Sequence, residues 1–300
     1  MPSPTDFNLS PYYDDFTESK KFHRVLFRPA FAVQARELTQ SQTLLQNQIE
    51  KFGDHMFKQG SIVIPGGVAF DDKYYAVKLT SIASANTLAQ FTTGTIITGG
   101  TSGVVAEIIN TDALSGSDPD TLYVKYEKTG SNNTSFVFSD GETITGTNSD
   151  SVSLSAVVQT TATGSAAIGA AGTFYINGFF VQADAETLIL DKYTNTPSYR
   201  VGYAVTESFV TPNDDTTLND NATGSSNANA PGAHRFKILL TLTKKTLSST
   251  EDSNFFEVLR VENGNIKGQA RSTEYNILEE TLARRTFDES GNYTVRNFAY

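Results

Sequence analysis

Residues 24–60 read RVLFRPAFAVQARELTQSQTLLQNQIEKFGDHMFKQG, and the spacing of their apolar positions decides how the chain is organised. Phe31, Leu38, Leu45 and Phe52 recur every seven residues, and Ala35, Gln42, Ile49 and Met56 follow each of them by four. That is a heptad seam with one polar break at Gln42. Pro29 precedes the pattern, where its missing N–H costs least, and Gly60 is a natural stop. The reading is a helix from about Val33 to Lys58, on the order of 40 Å long, with Gly53 inside it at a cost of roughly 1 kcal/mol against alanine. A seam this narrow buries itself against copies of itself, and one polar residue within it selects register. The competing reading is an amphipathic helix lying on the chain's own sheet.

Outside this segment the chain is β-patterned. Thr, Ser, Asn and Gly separate short β-branched and aromatic runs, as in small sandwiches and barrels. The fold class expected is mainly β, with one long N-terminal helix and small antiparallel sandwich or barrel domains, one inserted in another. Residues 1–60 form an extended arm, with aromatic anchors Tyr12, Tyr13 and Phe16, followed by the assembly helix. Residues 61–90 with 159–233 form a β-domain. SIVIPGGVAF and KYYAVKLTSI are strands there, with a turn at Asp71-Asp72 between them, and Asn177-Gly178 is a hairpin turn. Residues 91–158 form the insert and contain a repeat: FTTGTIITG at 91–99 returns as FSDGETITG at 138–146, an offset of 47 throughout. Two copies are too few for a solenoid. Residues 234–300 hold a hairpin at Asn263-Gly264, a short helix over STEYNILEETLARR with Tyr275, Leu278 and Leu282 on one face, and a final strand. Ending in a strand suggests the front portion of a longer protein. The polar stretch 211–233 is a long loop, rich in residues that form tight local turns.

Composition narrows the function classes. With 33 acidic and 23 basic residues the net charge is −10, which disfavours nucleic acid or anionic membrane as a partner. No cysteine is present, so neither disulfides nor thiolate metal sites enter. The first twenty residues lack the features of a secretory signal, and no apolar run reaches the roughly 18 residues of a membrane span. His23, His55 and His234 show no metal-ligand spacing. GGTSG at 99–103 lacks the Lys-Ser or Lys-Thr and the helix of a phosphate loop, and reads as a β-turn. The acid pairs Asp14-Asp15, Asp71-Asp72, Asp214-Asp215 and Glu279-Glu280 are adjacent rather than set across a sugar-sized gap. NDDTTLNDN at 213–221 lacks the spacing of a calcium loop.

Several stretches resemble a domain of unknown function found in virion proteins of tailed bacteriophages, notably large marine phages of cyanobacteria. They are RVLFRPAFAVQARELTQSQTLLQNQIEKFGDHMFKQGS, GTFYINGFFVQ, PSYRVGYAVTE, DDTTLNDNATGSSNANAPGAHRFKI and ETLARRTFDESGNYTVR. The resemblance implies a tail-associated structural subunit, a baseplate or tail-fibre component located in the virion and assembled in the host cytoplasm. It also implies a trimer and other tail proteins as partners, and it brings no catalytic residues. No cofactor and no enzymatic activity are expected. The self-assembly residues read from the seam are Leu38, Gln42, Leu45, Ile49, Phe52 and Met56. An alternative is a host-glycan adhesin in which Tyr123, Tyr126 and Phe136 of the insert touch sugar; another is a neck or head-decoration protein.

Overall fold

A computed structural model describes residues 5–64, 66–131, 133–250, 253–270 and 277–292. Fourteen strands occur among them: β1 (Ile62–Ile64), β2 (Val68–Ile82), β3 (Ile96–Gly99), β4 (Val105–Asp112), β5 (Thr121–Lys128), β6 (Thr143–Thr147), β7 (Ser153–Gly169), β8 (Gly172–Ile176), β9 (Phe179–Ala183), β10 (Glu186–Asp191), β11 (Tyr199–Val210), β12 (Arg235–Thr246), β13 (Phe255–Glu262) and β14 (Asn265–Gln269). The chain is mainly β, and its ladders are antiparallel. The expectation of one long helix needs correction. The N-terminal helix, α1, runs Ala35–Met56, two residues short at each end, and a second helix, α2, covers Ile277–Ser290. Tyr275 lies outside the described residues, as does the side chain of Leu278; of the final strand expected over residues 291–300, residues 291–292 are not strand and the rest lies outside the described residues.

Three sheets are formed. One has the order β1-β8-β9, and another the order β12-β11-β13-β14. The largest runs β10-β7-β2-β5-β4-β3-β6, and β6 pairs again with β7, so six of its strands close into a ring. Closure removes free edges. The repeat explains the ring. Phe91 and Phe138 are both buried, as are Ile97 and Ile144, and Gly94 and Gly141 both take positive φ, at 86° and 78°. Gly94 N donates to Ile108 O, and Gly141 N to Val158 O, each at 2.8 Å. β3 pairs with β6 so that Ile97 faces Gly146, Thr98 faces Thr145 and Gly99 faces Ile144. With the offset of 47, Thr98 pairs with its own repeat equivalent. A pseudo-twofold axis therefore passes between these two threonines.

Two apolar cores share the long strands. Val77, Leu79, Ile97, Ile108, Val124, Ile144 and Val158 fill the ring. The other core joins Val68 and Ala167 to Phe174, Ile176, Leu190, Val201, Tyr203, Leu242 and Leu259. β2 and β7 stay paired from Val68↔Gly169 to Ile82↔Ala156, so the two cores meet inside these strands rather than at residues 90 and 159. The turn expected at Asp71-Asp72 is instead a register shift between Asp71 and Tyr74 within β2. There Asp71 Oδ1 accepts from Lys73 N at 2.8 Å, and the bulge keeps the strand continuous.

Candidate assembly surface

α1 begins where Glu37 Oε2 accepts from the backbone N–H of Gln34 at 2.9 Å, satisfying one of the donors a helix start leaves open. It ends where Phe57 turns to extended backbone while its N–H still donates to Gly53 O at 2.7 Å. The side of the helix that meets its own chain buries Leu44 and is otherwise mostly polar. Near its start, Asp14 of the arm is buried beneath it and accepts from Thr43 Oγ1, and Gln40 Nε2 donates to Asp15 Oδ1 at 3.0 Å. One turn further, Asn47 Nδ2 donates to Glu18 at 2.8 Å and Lys51 pairs with Glu18 at 2.9 Å. Hydrogen bonds from Asn47 and Lys51 hold the Glu18 carboxyl below its ordinary range.

The second half of α1 meets the β8–β9 hairpin. Asn177 and Gly178 take φ of 51° and 85°, the left-handed pair that a tight two-residue hairpin requires. Gln46 Nε2 donates to Gly178 O at 2.7 Å. The buried Tyr175 ring packs against Gly53, and its hydroxyl donates to Glu50 O at 3.0 Å and to Asp54 Oδ1 at 2.8 Å. A Cβ on Gly53 would lie 2.3 Å from Tyr175 Cε2, so the helix glycine is there for close approach. Burial first, then the Asp54 charge, raises the Glu50 carboxyl above its usual range.

The opposite side carries the seam, and it faces outward. Leu38 is 52% exposed, Leu45 68%, Ile49 44% and Phe52 63%. Gln42 is exposed between them, and Met56 is half-buried at the C-terminal end. Apart from Leu44, which is buried, the helix is thus inverted relative to an ordinary surface helix, with mostly polar residues inward and its other large apolar residues outward. The positions flanking the seam, Thr39, Ser41, Gln46 and Gln48, carry no charge, so identical copies can meet there without like-charge repulsion.

The other sequence candidates fall elsewhere. Tyr123 is fully buried, stacked on Tyr74 with ring centroids 4.9 Å apart. Tyr126 is half-buried between Tyr75 and Phe138. Neither offers a ring face to a sugar, and this corrects their reading as glycan contacts; Phe136 alone of the three is exposed. The arm packs on its own chain. Tyr12 OH lies 2.7 Å from His234 Nδ1, and Phe7 packs edge-on against Phe209 and Phe236. Residues 211–234 form local turns as their composition suggests: Asp214 accepts from Thr211, Asp215 from Thr217 and Asp220 from Ala222. That loop surrounds an open recess of about 390 Å³ lined by Leu218, Asn219, Asp220, Asn227 and Arg235. Among the described residues no group of three or more His, Cys, Asp or Glu is placed to hold a metal, and no helix is long and apolar enough to cross a membrane.

Sequence reasoning missed the residues that hold the helix down. Asp14 and Tyr175 lie in segments whose pattern says nothing of their partner. The one available signal was Gly53, since a mid-helix glycine asks for a close neighbour. No curated protein and no solved structure matches the chain. A family model does match, over residues 10–107 and 110–300, and the chain belongs to that family, described as Domain of unknown function (DUF4815).

Proposed function

We propose that the protein is a non-enzymatic structural subunit of a phage tail, a baseplate or tail-fibre component, that trimerises through the outward seam of α1. The observation that carries the assembly reading is the inversion of the helix: four large apolar side chains face solvent while its polar face is spent on its own chain. The placement in a virion tail rests on the resemblance of the quoted stretches to virion proteins. In this reading α1 and its copies form the central bundle, and the sheets project outward on the side of Tyr175.

The contribution per residue is substantial. Full burial of a Leu or Phe contributes about 1.5–3 kcal/mol. With 68% of Leu45 exposed, its burial contributes about 1–2 kcal/mol per copy, or about 3–6 kcal/mol per trimer. Replacing Leu45 and Phe52 together (L45D/F52D) removes that and places charges in the seam. The expected result is a folded monomer by light scattering, with the circular dichroism of the parent. A variant that keeps the parent's mass removes the seam from the interface. Labelling assembled particles for electron microscopy separates a tail from a neck or head position. A glycan-binding role finds less support, because Tyr123 and Tyr126 are turned inward.

A further inference from the structure

A second exposed apolar stretch precedes α1. Residues 22–33, FHRVLFRPAFAV, adopt neither helix nor strand, and all but Val25 are exposed. Phe22, Leu26, Phe27, Phe31 and Val33 are each more than half exposed. The contacts of this stretch are internal: Phe31 N donates to Arg28 O at 3.4 Å, and the Arg28 guanidinium lies 4.2 Å from the centroid of the Phe31 ring. Among the described residues no hydrogen bond, ion pair or ring contact ties residues 22–33 to the rest of the chain.

Both ends are nonetheless fixed. Before it, Glu18 is held by Asn47 and Lys51; after it, Gln34 caps α1. The segment must therefore return along about thirteen helix residues, roughly 20 Å at 1.5 Å each. Thirteen residues of extended chain reach about twice that distance. It is a bowed strap running beside the part of α1 that bears Leu38 and Leu45. Its charge is also distinctive. From Lys21 to Gln34 there are three cations, Lys21, Arg24 and Arg28, and no acid. The whole chain is at −10, so the remainder carries −13.

We infer that residues 21–34 are a clasp that closes on the net-negative body of a neighbouring copy when α1 assembles. This deepens the assembly reading and rests on it. The occupant is a second copy for two reasons. The strap is tethered at both ends to α1, the element that bears the seam, and the body of this chain has the opposite charge. Among the described residues Phe22, Leu26, Phe27, Phe31 and Val33 stay exposed. A partner of the same chain supplies both apolar surface and anions.

The chain has no cysteine, so Leu26→Cys introduces a single thiol that takes a benzophenone maleimide. Photolysis of a mixture of isotopically heavy and light full-length copies, followed by peptide mass spectrometry, is expected to give heavy–light cross-links from residue 26 to a neighbour. The triple variant F22S/L26S/F27S is expected to weaken self-association on the order of a hundredfold, with the secondary structure unchanged. Three results overturn the inference. A parent that light scattering shows to be a monomer removes both the clasp and the assembly reading. An oligomeric parent whose residue 26 cross-links only within its own copy, with F22S/L26S/F27S associating as tightly as the parent, removes the clasp alone. Absence of heavy–light cross-links together with cosedimentation on phosphatidylserine vesicles assigns the strap to a lipid surface instead.

Discussion

Gly53→Ala tests the orientation of α1 with a predicted sign opposite to that of intrinsic helix propensity. In an exposed helix interior, alanine is favoured over glycine by about 1 kcal/mol. Here the added methyl would sit 2.3 Å from Tyr175 Cε2 and 2.5 Å from Cζ, well inside contact distance. The ring has nowhere to go. It is fully buried, lies against Phe57 and Phe180, and is tethered by its hydroxyl to Glu50 O and Asp54. Overpacking of this kind costs about 1–3 kcal/mol. Displacing the hydroxyl adds about 1 kcal/mol for each hydrogen bond lost. Net of the propensity gain, Gly53→Ala is expected to destabilise by about 1–4 kcal/mol. The assay is urea unfolding followed by tyrosine fluorescence and circular dichroism, made in the L45D/F52D background so that assembly does not contribute. A midpoint at or above that of the background would show that α1 does not rest on Tyr175. The outward direction of the seam would then fall with it.

Two further perturbations probe the ring and the arm. Burial pushes the Glu142 carboxyl up, but donors from Ser102 N, Ser139 N, Ser102 Oγ and Thr101 N outweigh it and leave the group below its ordinary 4.5. A lowered folded value means that the stabilisation is complete above the unfolded value and is lost as pH falls below about 4.5 and through the folded one. Glu142→Gln is expected to lower stability at pH 7 and to flatten the acid limb of a stability–pH curve; an unchanged limb refutes the assignment. Asp14→Ala leaves the Phe16 N–H without its acceptor and the Thr43 hydroxyl with only the longer bond to Thr39 O at 3.4 Å. It is expected to free the arm, seen as faster chymotryptic cleavage after Tyr12, Tyr13 and Phe16. A cleavage rate equal to the parent's contradicts the docked arm.

Local signals were legible where the backbone itself demands a residue type. Asn177-Gly178 and Asn263-Gly264 turn as their sequence requires, because the pair tolerates positive φ at both positions. The repeat was legible because Phe91/Phe138 and Ile97/Ile144 serve the same core. Strand β7 was only half visible. Its stretch TTATGSAAIG lacks the bulky alternation of a strand, yet Gly164, Ser165, Ala166 and Ala167 are buried. The reason is close approach: a Cβ on Gly164 would lie 2.5 Å from Lys192 O. Small residues are chosen there by a neighbour distant in sequence, and a local pattern does not record it. The seam was legible as a period, but its direction was not. Heptad spacing says that apolar side chains share a face, and only the partners of Asp14, Glu18 and Tyr175 decide whether that face looks inward or outward.

Those partners also fix how the ring stands relative to the helix. Tyr175 joins α1 to β8, and Phe174 beside it enters the first core with Val68 and Ala167, which belong to β2 and β7. The same two strands continue, still paired, into the second core. At the junction Tyr74 stacks on Tyr123, and Lys192 bridges Asp112 and Asp118 at 2.5 and 3.0 Å, which raises the lysine to about 12. Bending the ring away from the helix would have to unzip a ladder or open this junction, because β2 and β7 run paired through both cores. Ordinary inter-domain hinges sit in exposed, weakly contacted segments. Here the connection is made by two long strands with apolar cores at both ends. Orientation imposed at α1, by whatever α1 rests against, is therefore transmitted to the ring as a fixed angle.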